Sequence, residues 1–388
     1  MKFSVDAHAI GRHLTGNEVY VRSLLHGFTS LGDDSEFITY VSSKDAANWV
    51  PSHFEVRWVA ANPFVRLGFD LSRQLRRDKP DLVHVQYTAP VACPVPVVVS
   101  VHDVSFIEHP EFFSRFRALQ LRWTVRRTVA SAVRVLTGSE FARDSILRAY
   151  NLKEDKVIAV PNAASPSFRP LHIDNAVDAV RTRFGVPAPF ILTVGDLQPR
   201  KNHVGLIRAF ARLAKAHPEL RHRLVLAGKE TWFAPRVREA AKQSGVADRI
   251  RFLGFVTDDD LLQLYNSCDL FVFPSFYEGF GLPLLEAMAC GRAVACSNTS
   301  AMPEVADGAA ILFDPHSTDG IARAMADLLR DPELRVRMER LGQQRSAHFS
   351  WNKTAHRTLE VYHEVAIKGL RKGPVSELGQ KSASVPSR

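Results

Sequence analysis

Short β-branched runs alternate with amphipathic stretches along this chain, and the alternation runs through twice, which restricts the possible folds more than any other feature. In the first half the runs are Lys2–Asp6, Glu36–Val41, Glu55–Ala60, Asp81–Gln86, Val95–Val101, Arg134–Thr137 and Lys156–Val160. Stretches such as Glu18–Leu31 and Phe141–Ala149 between them carry apolar residues at helical spacing. That order of elements is the pattern of a parallel sheet wrapped by helices. It restarts with Phe190–Val194, Arg223–Ala227, Ile250–Leu253, Leu270–Phe273, Ala293–Cys296 and Ala310–Phe313. Between the halves, Pro161–Pro170 is rich in Pro, Ser and Asn and reads as a linker. A length of 388 residues also exceeds what one core usually organises. The expectation is an α/β protein of two Rossmann-like domains, residues 1–168 and 169–350. Trp351–Ile367 is helical in period, so residues 351–370 form a helix able to return to the first domain. Residues 371–388, rich in Ser, Lys and Gly from Gly373-Pro374 onward, lack the apolar content to fold and are expected to be disordered.

Composition excludes several classes. No apolar run approaches the roughly 20 residues that span a bilayer, and Met1–Asp6 reads as a strand rather than the start of a secretion signal. Cys93, Cys268, Cys290 and Cys296 form no CxxC pair, which suits reduced thiols in a cytoplasmic protein. The net charge of +9 admits nucleic acid, an anionic membrane face or phosphorylated substrates, but no nucleic-acid-binding module accompanies it.

Ligands of open parallel sheets bind beyond the carboxyl ends of the strands, so the loops there are where chemistry is sought. Pro274–Glu286 follows one such strand. Gly279 and Gly281 allow backbone N–H groups close to an anion, and Pro283 suits the start of a helix whose free N–H donors and positive dipole end can hold a diphosphate. Glu278 precedes that helix and Glu286 is expected near its first turn, positions suited to sugar and ribose hydroxyls respectively; the plainer readings are a solvated loop charge and a dipole-favoured acid. Gly195–His203 follows another strand. Its adjacent Arg200 and Lys201 stand before a helix, where cations are unfavourable unless an anion joins them.

Gly195-Asp196-Leu197-Gln198-Pro199-Arg200-Lys201-Asn202, the Glu278-x7-Glu286 spacing and Met302-Pro303-Glu304-Val305 together resemble the family 4 glycosyltransferases of GT-B fold. The similarity covers essentially the whole second half and reaches Phe349-Ser350-Trp351. In the first half Val101-His102-Asp103, followed by Pro110, and Leu136–Ala142 resemble the mannosyltransferase-like branch. The resemblance implies two domains facing each other across a cleft and transfer of a hexose, mannose favoured, with retention, from a nucleotide-sugar to a glycan or lipid-linked acceptor. It implies that Arg200 and Lys201 bind the donor diphosphate, Glu286 the ribose and Glu278 the transferred sugar. Gly279, Phe280, Gly281 and Leu282 would line the donor, and His102 would lie near the sugar unless it only structures its loop with Asp103. Gly16 occupies the loop that approaches donor and acceptor in relatives, although Thr15-Gly16-Asn17-Glu18 lacks the second glycine and the arginine many of them carry there. GDP-mannose is favoured over UDP-hexoses.

No metal or other cofactor is expected. Thr257-Asp258-Asp259-Asp260 resembles a metal-binding Asp-x-Asp pair, but Thr257 with Asp260 is a helix-start signature. Arg115, Arg117, Arg122, Arg126 and Arg127 interleave with Phe113, Phe116, Leu119 and Trp123. This stretch reads either as a helix on the inner membrane surface or as an ordinary helix with its apolar side in the core. A nucleotide-sugar epimerase of GT-B fold and a noncatalytic nucleotide-sugar-binding protein remain alternatives; a dehydrogenase lacks its Gly-x-Gly-x-x-Gly fingerprint.

Overall fold

A computed structural model describes residues 1–12 and 15–370; the expected tail at 371–388 lies outside the described residues. Two parallel sheets make up the molecule. The first contains β1 (Lys2–Asp6), β2 (Glu36–Val41), β3 (Glu55–Trp58), β4 (Leu82–Gln86), β5 (Val97–Ser100), β6 (Arg134–Thr137) and β7 (Val157–Ala159) in the order β3-β2-β1-β4-β5-β6-β7. The second contains β8 (Phe190–Val194), β9 (Arg223–Ala227), β10 (Ile250–Gly254), β11 (Leu270–Phe273), β12 (Val294–Ser297) and β13 (Ile311–Phe313) in the order β10-β9-β8-β11-β12-β13. Every strand read from sequence is present, with several ends shifted by one or two residues: β10 runs on to Gly254, β12 starts and ends one residue later, and others are trimmed. Val95 and Pro96 drop out of β5 because proline has no N–H for the ladder; Pro96 only accepts, from Val83 N. Lys156 belongs to a single 3₁₀ turn, Glu154–Lys156.

Both sheets are covered on both faces, which is why central strands such as β4, β11 and β12 are buried at every position. Each sheet reverses its strand order once, between β1 and β4 and between β8 and β11. At such a reversal the flanking loops turn to opposite sides and leave a crevice.

The helix Trp351–Leu370 packs on Thr15–Thr29 and places Trp351, Leu359 and Tyr362 in the core of the first sheet. Other contacts join the two halves. Glu304 accepts hydrogen bonds from the backbone N of Glu140 (2.9 Å) and Phe141 (3.0 Å), neutralising the start of the helix Glu140–Tyr150. Ser139 donates to the carbonyl of Gly279 at 2.7 Å, and Arg22 pairs with Asp258. The halves therefore face each other across a cleft, as a GT-B fold requires.

The basic helix runs from Arg115 to Ser131 behind an Ser114 cap. Ala118, Val125 and Val129 turn to the core, whereas Phe116, Leu119 and Trp123 are 77%, 67% and 66% exposed. The reading in which this helix buries all its large apolar residues fails for those three. Arg127 donates to the carbonyls of Pro90 and Val91, holding the helix against the loop after β4.

Candidate active site

The cation pair is built by a tight turn. After β8 the chain passes Gly195 and enters the 3₁₀ turn Pro199–Lys201, closed by Asn202 in the left-handed region. Asn202 then caps the helix His203–Ala216 through Gly205 N and donates to Pro315 O. Phe276 N, in the loop after β11, donates to Arg200 O at 2.8 Å, so the loops on either side of the strand-order reversal are joined through their backbones.

Glu278 lies between the two cations. Its Oε2 is 2.6 Å from Arg200 Nη1 and its Oε1 is 2.7 Å from Lys201 Nζ, with all three side chains largely buried. Arg200 also donates to Tyr277 O at 2.7 Å, and Lys201 sits 4.8 Å from the centre of the Phe273 ring. Burial works against a charged Glu278, but the positive charges of Arg200 and Lys201 outweigh it and bring its pKa down to about 2. The trio thus carries one net positive charge, and ionised Glu278 keeps acceptor capacity for hydroxyl groups.

Beyond Glu278 the loop makes two demands that only glycine meets. A Cβ on Gly279 would lie 1.9 Å from the carbonyl oxygen of His102, across the cleft. Gly281, at φ +100°, precedes the helix Leu282–Ala289. Among the described residues none accepts a hydrogen bond from the amides of Phe280 and Gly281, so these donors are available to an anion at the helix start. The helix begins at Leu282, which makes Glu286 its fifth residue and corrects the first-turn placement expected from sequence. Glu286 accepts from Tyr265 Oη at 2.9 Å. Burial lifts its pKa to about 7, with the Tyr265 hydrogen bond acting in the opposite direction.

His102 follows β5 and comes from the first half. Its Nε2 is 2.9 Å from Gln86 Oε1, and burial lowers its pKa to about 4. His102, Gly16, Arg200, Lys201, Glu278, Gly279, Phe280, Gly281, Leu282 and Glu286 all line one cavity of ≈ 400 Å³ between the halves. The cavity also holds Tyr20, Tyr87, Phe255 and Asp258, which the sequence reading did not single out as site residues. Tyr265 behind Glu286 was likewise missed. A tyrosine inside an amphipathic helix carries the signal of a core residue, and only the tertiary contact reveals its hydroxyl's partner. Asp260 forms a reciprocal capping box with Thr257, so this acid serves the helix start as expected.

Two facing Rossmann-like sheets with a cleft at their reversal points define the GT-B class of fold. Comparison with known proteins narrows this. The family description "Glycosyl transferases group 1" matches residues 178–345, and "Glycosyltransferase Family 4" matches residues 14–168. Escherichia coli O-antigen chain mannosyltransferase B is 32% identical over 265 residues, covering 68% of this chain and 69% of that protein. Serotype-specific mannosyltransferase WbdA of Escherichia coli is 34% identical over 253 residues, 64% of this chain but only 30% of that longer enzyme. The chain belongs to the family 4 glycosyltransferases, in their mannosyltransferase-like branch. Among solved structures, sucrose-phosphate synthase from Thermosynechococcus elongatus superposes with a TM-score of 0.76 at 18% identity, over 95% of this chain and 100% of that one. Anabaena HepE, solved with UDP and glucose, gives 0.74 at 18% identity over 94% and 99%. These two likenesses speak to the fold.

The two glutamates oppose each other in their effect on folding with pH. Glu286 holds a proton in the folded state between its ordinary 4.5 and about 7, so its contribution to stability falls as pH rises through that window. Glu278 contributes stability above 4.5 that is lost as pH falls toward about 2. Tyr265→Phe removes the hydrogen bond that favours ionised Glu286, so the Glu286 titration midpoint, followed by carboxyl ¹³C NMR, should rise above 7. An unchanged or lower midpoint would contradict the assigned contact.

Proposed function

We propose that this chain is a retaining glycosyltransferase that moves a hexose, mannose favoured, from a nucleotide-sugar to a glycan or lipid-linked acceptor without a metal ion. The observation that carries this reading is the meeting of Arg200 and Lys201 with the glycine-framed start of Leu282–Ala289 in one cavity. Cations and free amides on two sides of one space match the two phosphates of a leaving nucleoside diphosphate. Fixed donors of this kind stabilise the charge that develops as the bond to the sugar breaks, because they need no reorganisation at that moment.

In this reading Arg200 and Lys201 neutralise the departing diphosphate, with Phe280, Gly281 and Leu282 lining it. Glu286 accepts from the ribose hydroxyls, while Glu278, held ionised between the cations, accepts from hydroxyls of the transferred sugar. His102 borders that sugar from the first half, and Gly16, which stands in the first turn of the helix Thr15–Thr29 rather than in a loop, lies where donor and acceptor meet. The acceptor attacks the face from which the diphosphate departs, and the diphosphate takes its proton. GDP-mannose is favoured over UDP-hexoses because the relatives named above are mannosyltransferases.

We place the reaction in the cytoplasm, with peripheral contact at the inner membrane face. No helix among the described residues is long and apolar enough to cross a membrane. Exposed Phe116, Leu119 and Trp123 share the helix Arg115–Ser131 with five arginines and no acid, a composition matched to an anionic bilayer.

Two measurements test these statements. Arg200→Ala and Lys201→Ala should each lower kcat by roughly 10²–10³-fold, as removal of one such donor does, while wild-type turnover persists in excess chelator; near-normal kcat in both variants, or metal-reversible loss, would refute the mechanism. In vesicle flotation the protein should bind membranes containing anionic lipid and release at high salt, and Trp123→Ala should weaken binding by roughly ten- to a hundredfold, at about 1.5–3 kcal/mol per large apolar group buried. Equal binding to neutral vesicles, or none to either, would remove the membrane reading.

A further inference from the structure

The first half contains a buried polar chain of which the proposed reaction uses only His102. Gln86, at the end of β4 and 7% exposed, touches two cavity-lining residues at once. Its Nε2 donates to Asn17 O at 3.2 Å, and its Oε1 is 2.9 Å from His102 Nε2. A backbone carbonyl only accepts, so the NH₂ of Gln86 must face Asn17 and its oxygen must face His102. The ring nitrogen that meets this oxygen must then carry a proton. In a neutral imidazole the lone pair falls on the other nitrogen, Nδ1, to which no described residue donates.

The surroundings favour that neutral form. The ring meets Tyr20 from the helix Thr15–Thr29 at 4.7 Å and Tyr87 from the loop after β4 at 5.6 Å, both edge-on. Asp103 is the nearby acid, but its Oδ1 is occupied by Ser105 N and Oγ. Burial outweighs the attraction of Asp103 and keeps the imidazolium unfavourable. Tyr20 is itself fixed: its hydroxyl meets Ser100 Oγ at 2.8 Å, Ser100 meets His84 Nε2 at 2.7 Å, and His84 Nδ1 meets Tyr362 Oη of the final helix at 2.5 Å.

We propose that Gln86 is a positioning residue that locks His102 as the neutral Nε2–H tautomer, with Nδ1 presented as a hydrogen-bond acceptor to a hydroxyl of the transferred sugar. The same amide ties the first turn of the helix Thr15–Thr29, which carries Gly16 and Asn17, to His102. The inference rests on the reading that His102 borders that sugar.

The test combines ¹⁵N-histidine NMR of the full chain, with the His102 signal identified by its loss in His102→Asn, and pH profiles of Gln86 variants. Wild-type His102 should show the Nε2–H signature without titrating from about pH 5.5 to 8.5, a range in which an ordinary imidazole changes charge. Gln86→Glu sets a carboxylate against the ring and raises the pKa of His102. Its kcat should therefore fall on the acid side and recover as pH rises, a limb absent from wild type. Gln86→Leu should lose about tenfold in kcat, the weight of one hydrogen bond, with nucleoside diphosphate affinity held within about twofold. A wild-type His102 protonated on Nδ1, or a Gln86→Glu profile matching wild type, would overturn the proposal. The NMR signature needs no turnover, so it holds or fails independently of the assigned reaction and of how well the variants fold.

Discussion

The buried contact of Glu278 with both Arg200 and Lys201 is the constraint around which the second half is arranged. Three charges removed from water are costly unless each is matched by another or by fixed dipoles. Here the match requires the loops after β8 and β11 to meet, and they can meet because those two strands are neighbours in the sheet. The backbone bond from Phe276 to Arg200 and the capping role of Asn202 hold that meeting in place. Glu278 balances one of the two cations, and Asp103 and Asp196, which line the same cavity, lend further negative charge near Arg200 and Lys201.

The cleft depends on the first half as well. Gly279 backs onto the carbonyl of His102 with no room for a side chain, and Ser139 donates to Gly279 from the same side. Glu304 grips the start of the helix Glu140–Tyr150 from the opposite lobe. The loop Glu278–Gly281 is therefore also a contact between lobes, which ties the shape of the cavity to how the lobes pack.

Much of this was legible in the sequence because the responsible signals are local. Strand and helix alternation gave every strand, and Gly279, Gly281 and the adjacent cations are unusual enough in their positions to mark the site before any coordinates. Boundaries slipped where a single residue decides them, as when Pro96 shortened β5 and Gly281 set the helix start one residue before Pro283, moving Glu286 past the first turn. Gln86, Tyr20 and Tyr265 were not legible. Each sits in a strand or helix whose pattern already explains it as core, and its partner is 16 to 80 residues away or comes from another element. The exposure of Phe116, Leu119 and Trp123 was equally hidden, since periodicity says which residues share a face but not what covers it.

The most direct test of the central claim is a crystal structure with a nucleoside diphosphate bound. The account predicts both phosphates between the Arg200–Lys201 turn and the amides of Phe280 and Gly281, with the ribose on Glu286. A diphosphate seated elsewhere in the cleft, with Glu278 still holding both cations and no phosphate within reach of either, would contradict it.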